Sequence, residues 1–118
     1  MGKALGEFEQ LILMALLHLG DNAYGVTIRG EIKERTGRTV AIGAVYTALA
    51  RLLRNEYVSY RVGEPTSKRG GRRKKYYKIE PPGVDALKRA YGVLFRMASG
   101  LEGNLDPVAM PAAQSERP

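Results

Sequence analysis

The sequence predicts a mainly α fold of the α+β class, with a single β-hairpin between its third and fourth helices. Three observations carry that expectation. In residues 41–55, Ile42, Val45, Tyr46, Leu49, Leu52 and Leu53 fall at i, i+3, i+4, i+7, i+10 and i+11, one apolar stripe of helical period. Two β-rich runs follow, Tyr57 to Val62 and Lys74 to Ile79, separated by a connection rich in Gly, Pro and cations. Beyond them Val84, Leu87, Tyr91, Leu94, Ala98 and Leu101 step by three and four residues, an a/d seam of about two and a half heptads.

The first helix is expected over Leu5 to Leu19. Phe8, Leu11, Ile12, Ala15 and Leu19 make one face, and Leu13, Met14, Leu16 and Leu17 occupy much of the rest. A helix apolar nearly all round needs cover on more than one side. Either it is the central helix of a monomer or a second subunit supplies the cover; in so small a chain the second is more economical. Gly20, Asp21 and Asn22 form a turn. A short helix runs from Tyr24 or Gly25 to Arg35, with Gly37 placed for the left-handed position after its end. Helix, short turn, helix is the grammar of a helix-turn-helix, so the helix of residues 41–55 stands where a recognition helix would.

Thr39 is the nearest good capping residue for that helix, since Ala41 has no side chain that can cap. Gly43, Ala44, Thr47, Ala48, Arg51 and Arg54 lie opposite the apolar stripe, small near the start and basic near the end. Small side chains at Gly43, Ala44 and Thr47 suit entry into a major groove about 12 Å wide. Close packing of another helix would call for the same residues. Tyr46 belongs to the stripe by spacing and is also a candidate DNA contact; Arg51 could reach a phosphate or a guanine edge.

In the hairpin, Gly70-Gly71 marks the tip, and Lys68, Arg69, Arg72 and Arg73, with Lys74 and Lys75, suit phosphates or a minor groove. On the returning strand Tyr76 and Ile79 fall on opposite faces. Pro81 and Pro82 open the last helix, which Gly92 and Gly100 weaken as an isolated element. That weakness, with the seam, predicts pairing in a homodimer through Leu13, Leu16, Leu17, Val84, Leu87, Tyr91, Leu94, Ala98 and Leu101. Residues 103–118, rich in Pro and small residues, read as a disordered tail.

At 118 residues the chain is expected to form one small core. It has no cysteine, which removes disulfides, thiolate metal sites and cysteine nucleophiles. His18 is the only histidine and has no second ligand at helical spacing, so no metal site is expected. No nucleophile–base pair and no GxxxxGK loop is present, so no catalytic residue, enzyme activity or cofactor is expected. The longest apolar run, Leu11 to Leu17, is far short of the roughly 20 residues that span a bilayer. With no signal-peptide pattern, a cytoplasmic protein with no membrane partner is expected.

Charge narrows the partner. Residues 1–50 and 81–118 are each neutral, whereas residues 51–80 hold ten cations and three acids, the whole net charge of +7. Positive charge concentrated this way points to a polyanionic partner, nucleic acid well ahead of an anionic membrane, with a plain solvated hairpin as the remaining alternative. Together with the helix-turn-helix grammar it makes double-stranded DNA the expected partner.

These features in this order resemble the PadR family of transcriptional regulators. The resemblance runs from about Leu5 to Glu102. It rests on Tyr24-Gly25, the run Gly43-x-Val45-Tyr46-x-x-Leu49-x-Arg51-Leu52, Gly63-Glu64-Pro65 through Arg69-Gly70-Gly71-Arg72, and Lys75-Tyr76-Tyr77 followed by Gly83. It implies a winged helix-turn-helix of three helices plus a β-hairpin wing in residues 1–80. It also implies a C-terminal dimerisation helix in residues 81–102, as in the short subfamily with a single such helix. Such proteins are generally homodimeric repressors on a pseudo-palindromic operator.

Three departures stand out. Where the family has Glu-x-x-Gly after its Arg-Leu pair, this chain has Leu53, Arg54, Asn55 and Glu56, so Asn55 is expected in the left-handed conformation. Glu80 replaces a common threonine. No tryptophan is present, with Leu94 near its place, so ring-stacking of aromatic drugs does not carry over. A pocket of Leu13, Leu17, Tyr91 and Leu94 would leave room for a small hydrophobic effector, although dimer packing explains those residues more simply. The alternative reading of the whole chain is a winged-helix interaction module that docks an acidic partner through its basic hairpin.

Overall fold

The computed structural model describes residues 4–64 and 73–106. In chain order they form α1 (Glu7–Leu19), a 3₁₀ turn (Gly20–Asn22), α2 (Gly25–Thr36), α3 (Ile42–Arg54), β1 (Val58–Val62), β2 (Lys75–Ile79) and α4 (Pro81–Ala98). The fold is α+β, with a helix-turn-helix, one antiparallel hairpin and a last helix that returns to the first.

Helix α1 is the centre, touching α2, α3, β2 and α4. Its Ile12, Leu13, Ala15 and Leu16 are buried against Ile28 and Ile32 of α2, Val45, Ala48, Leu49 and Leu52 of α3, and Ala86 and Leu87 of α4. This corrects the assignment of Leu13, Leu16 and Leu87 to a partner surface. Helix α4 of the same chain folds onto α1, so these three side chains lie in the protein's own core. Leu17 does stay exposed.

The ends of the elements follow local hydrogen bonding. Helix α1 begins at Glu7 rather than Leu5, because the Glu9 carboxylate accepts the Gly6 N–H at 2.9 Å and closes the first turn there. Helix α2 stops at Gly37, whose φ of 77° is the left-handed value expected there. Ala41 takes the N-cap position of α3 without a side-chain cap. Thr39 does not cap that helix; its hydroxyl instead accepts from Lys33 Nζ at 3.1 Å.

At the other end of α3 the left-handed residue is Glu56, with φ 63°, and not Asn55, with φ −88°. Glu56 N–H donates to the Leu53 carbonyl and Tyr57 N–H to the Leu52 carbonyl, each at 2.9 Å. This is a Schellman pattern, in which the residue two past the last helical one must turn left-handed. The geometry of the ladder, not side-chain preference, selects position 56.

Strands β1 and β2 pair Val58 with Ile79, Tyr60 with Tyr77 and Val62 with Lys75. The Tyr77 N–H also donates to the Ala23 carbonyl at 2.8 Å, which fastens the hairpin to the segment entering α2. Tyr57, Val58 and Tyr77 face the core. Gly83, in the first turn of α4, lies against the Tyr57 carbonyl; a Cβ there would sit 2.3 Å from that oxygen. Helix α4 ends at Ala98 and Gly100 has φ 89°, so Leu101 lies beyond the helix and the predicted seam stops one step early.

Candidate nucleic-acid interface

Helix α3 divides cleanly by exposure. Val45, Leu49 and Leu52 are buried, and Ile42 and Leu53 partly so. Ala48, expected on the outer face, is fully buried, because it lies three residues after Val45 and four before Leu52. Gly43, Ala44, Thr47, Arg51 and Arg54 are exposed, and Ala50, which the spacing did not single out, joins them. A Cβ added at Gly43 would meet nothing within 4 Å, so none of the described helices packs there. The smallness of this face leaves it open to solvent among the described residues.

Tyr46 is divided between the two surfaces. It is 47% exposed, yet its hydroxyl lies where a side chain at position 25 would begin: a Cβ on Gly25 would stand 2.2 Å from the Tyr46 oxygen. Glycine at 25 therefore lets α3 close against the start of α2. Burial, followed by the neighbouring Tyr46 and Tyr60 phenols, pushes the Tyr77 ionisation up. The Tyr46 hydroxyl itself reaches the start of α2.

The basic residues are held in distinct ways. The Arg51 Nε donates to Glu9 Oε2 at 3.1 Å, an ion pair in which the arginine side chain is 45% exposed and the glutamate 12%. Arg54 and Arg73 are exposed. Lys74 Nζ lies 4.9 Å from the Tyr24 ring centre and Lys75 Nζ 4.7 Å from that of Tyr60. Arg61, which charge counting left in the background, stacks 4.5 Å from the Tyr76 ring. Tyr76 in turn meets Tyr24 edge-on at 5.3 Å and covers Gly63. Each such pair is worth about 0.5–1 kcal/mol at an exposed site, enough to bias side-chain direction but not to fix it. Lys68, Arg69 and Arg72 lie outside the described residues.

Arg38, in the turn before α3, is paired through both Nη atoms to Glu7 at 3.1 and 3.2 Å. The hydrogen bond and charge of Arg38 lower the Glu7 ionisation range, and Glu7 raises that of Arg38. Sequence reading missed Glu7 and Glu9, since nothing local connects them to arginines 31 and 42 positions away.

The far end of α4 is apolar and exposed. Tyr91, Leu94, Phe95 and Met97 are 61%, 62%, 63% and 76% accessible, and Tyr91 stacks on Phe95. Val93, Phe95 and Met97 fall off the predicted a/d seam, so the exposed apolar surface is wider than that seam. Val84 and Ala98 are half-buried. Leu13 is in the core and so cannot line a pocket with Leu17, Tyr91 and Leu94, the weaker of the two readings of those residues. A groove of about 390 Å³ runs instead between Leu5 and Gln10 on one side and Ala86, Ala90, Val93 and Leu94 on the other.

No group of three or more potential metal-ligating side chains occurs among the described residues, and none of their helices is long and apolar enough to cross a membrane.

Comparison with solved structures places this geometry. A PadR-like transcription factor from Bacteroides fragilis superposes with a TM-score of 0.68 at 26% identity, covering 81% of this chain and 87% of that one. PadR of Bacillus subtilis, solved with operator DNA, gives 0.59 at 20% identity, over 72% of this chain and 46% of that one. F93 from STIV, a winged-helix DNA-binding protein, gives 0.65 at 14% identity, over 83% and 98%. The last two likenesses establish the winged-helix fold. No curated protein matches the chain in sequence. The model of the transcriptional regulator PadR-like family matches residues 12–89, from the core of α1 through the hairpin into α4, and the chain belongs to that family.

Proposed function

We propose that this protein is a sequence-specific DNA-binding regulator, a homodimeric repressor acting on a pseudo-palindromic operator. Helix α3 enters the major groove, and the wing of residues 63–75 meets the backbone or the minor groove. The observation that carries this reading is the open face of α3: Gly43, Ala44 and Thr47 exposed, with Arg51 and Arg54 following on the same helix. An α-helix whose first turns bear little side-chain bulk can approach base edges and thymine methyls closely, while flanking cations meet phosphates. The positive charge concentrated in residues 51–80 supplies the sequence-independent attraction.

In this reading residues 1–80 form the DNA-binding unit and residues 81–102 the dimerisation element, in a cytoplasmic protein. The exposed apolar end of α4 supports the dimer, since Tyr91, Leu94, Phe95 and Met97 together form a surface that favours a second copy over water. Two copies related by a two-fold axis present two α3 helices to half-sites about one helical turn apart. A small hydrophobic effector would have the groove between α1 and α4 available.

The test is selection of bound duplexes from a random pool, then titration of the selected duplex and of scrambled DNA at several salt concentrations. A palindromic preference is expected, with affinity falling steeply as salt rises. Equal affinity for selected and scrambled duplex at moderate salt would refute the proposal.

A further inference from the structure

The Glu9 carboxylate is fully engaged, and each of its oxygens does something different. Oε1 accepts the Gly6 N–H at 2.9 Å and closes the first turn of α1. Oε2 accepts from Arg51 Nε at 3.1 Å, across 42 residues of chain. The acid is nearly enclosed, with 12% of its side chain accessible, whereas Arg51 keeps 45%. The attachment is through Nε, the side of the guanidinium, so the two terminal Nη groups carry the remaining N–H donors. Arg51 lies four residues after Thr47 on the exposed side of α3.

We infer that Glu9 is a positioning residue for DNA recognition: it anchors Arg51 through Nε so that the paired Nη donors are presented to acceptors on the duplex. The inference rests on the DNA-binding reading above and sharpens it. A long arginine free in solvent loses side-chain entropy when it binds; one already tethered at Nε loses less, and its planar fork is aimed before contact. The acceptor is a matched pair, either O6 and N7 of a guanine or two phosphate oxygens. Net charge alone predicts the opposite influence. Glu9 is an acid on a DNA-binding protein, and by long-range electrostatics its removal should tighten binding.

The substitution that separates these influences is Glu9→Gln. Glutamine has one carbonyl oxygen, which can keep the bond to Gly6 N–H, as glutamine does in capping boxes. Its remaining group is a donor, which cannot accept from Arg51. The helix start is therefore retained while the tether is lost. Thermal melting and circular dichroism of the full chain check that Glu9→Gln, Arg51→Ala and the double variant are folded, and affinities are then read for the duplex selected with the wild-type protein.

Arg51→Ala is expected to weaken binding on the order of tenfold, and Glu9→Gln by about threefold or more despite the gain of one positive charge. In the Arg51→Ala background the Glu9→Gln loss should vanish. If Arg51 meets a guanine, both single variants relax preference at the same base pair of each half-site. If it meets a phosphate, both weaken all duplexes alike and lower the salt slope by about one. Unchanged or tighter binding by Glu9→Gln would overturn the inference, as would a Glu9→Gln loss that persists without Arg51. A wild-type protein that selects no sequence would instead sink the functional proposal itself.

Discussion

Replacing Glu56 by glycine should stabilise the protein, even though it removes a side chain and adds none. Glu56 has φ 63°, the only non-glycine residue with positive φ among those described. A Cβ in the left-handed region costs about 1–2 kcal/mol through its approach to the following carbonyl. Glycine removes that cost but adds freedom to the unfolded chain worth about 0.4–1 kcal/mol. The two leave a net gain of roughly 0.5–1 kcal/mol, or about 2–8 °C in melting temperature for a domain of this size.

The assay is urea denaturation and thermal melting of wild type, Glu56→Gly and Glu56→Ala at one protomer concentration, because the proposed dimerisation would make both midpoints concentration-dependent. Alanine keeps the Cβ and should gain nothing, which isolates the backbone effect from loss of the carboxylate. A Glu56→Gly midpoint no higher than that of Glu56→Ala would refute the reasoning. It would mean that the turn after α3 does not require the left-handed conformation in solution.

Three further outcomes are expected. Gly83→Ala places a methyl 2.3 Å from the Tyr57 carbonyl, backbone that cannot swing aside, and should lower stability by about 1–3 kcal/mol in a melt. Leu94→Glu, at a position 62% exposed, should leave the fold intact but shift the protein to monomer in analytical ultracentrifugation; an unchanged dimer would remove α4 from the proposed interface. The Glu7 ionisation is lowered by Arg38, so its contribution is present above the unfolded-state value of about 4.3 and lost as pH falls through the lower folded one. The stability difference between wild type and Glu7→Gln should therefore be small at neutral pH, because the pair is exposed, and shrink to nothing in stronger acid.

The helical periods made the elements themselves legible. Val45, Leu49 and Leu52 announced the buried face of α3, and the glycine after Arg35 and Thr36 announced the end of α2. Contacts between distant parts of the chain were not legible. Leu13, Leu16 and Leu87 have the spacing of an interface and the burial of a core, and only the return of α4 onto α1 decides between them. Glu9 reads as an ordinary first-turn acid until α3 is folded beside it. The Asn55 assignment failed because residue preference was weighed where the hydrogen-bond ladder decides, one position later. Of the candidate interface, the exposed face of α3 was visible as a run of small residues. The parking of Lys74, Lys75 and Arg61 over tyrosine rings was not, since it depends on strand register.

The contact between Tyr46 and Gly25 has a consequence for how such a protein can change its target over generations. The phenol occupies the volume that a side chain at position 25 would need, so any larger residue at 25 requires the Tyr46 ring to move. Gly43, Ala44, Thr47 and Ala50 carry no comparable tie to the core. If α3 reads DNA as proposed, these positions can be rewritten while the frame that presents them stays in place.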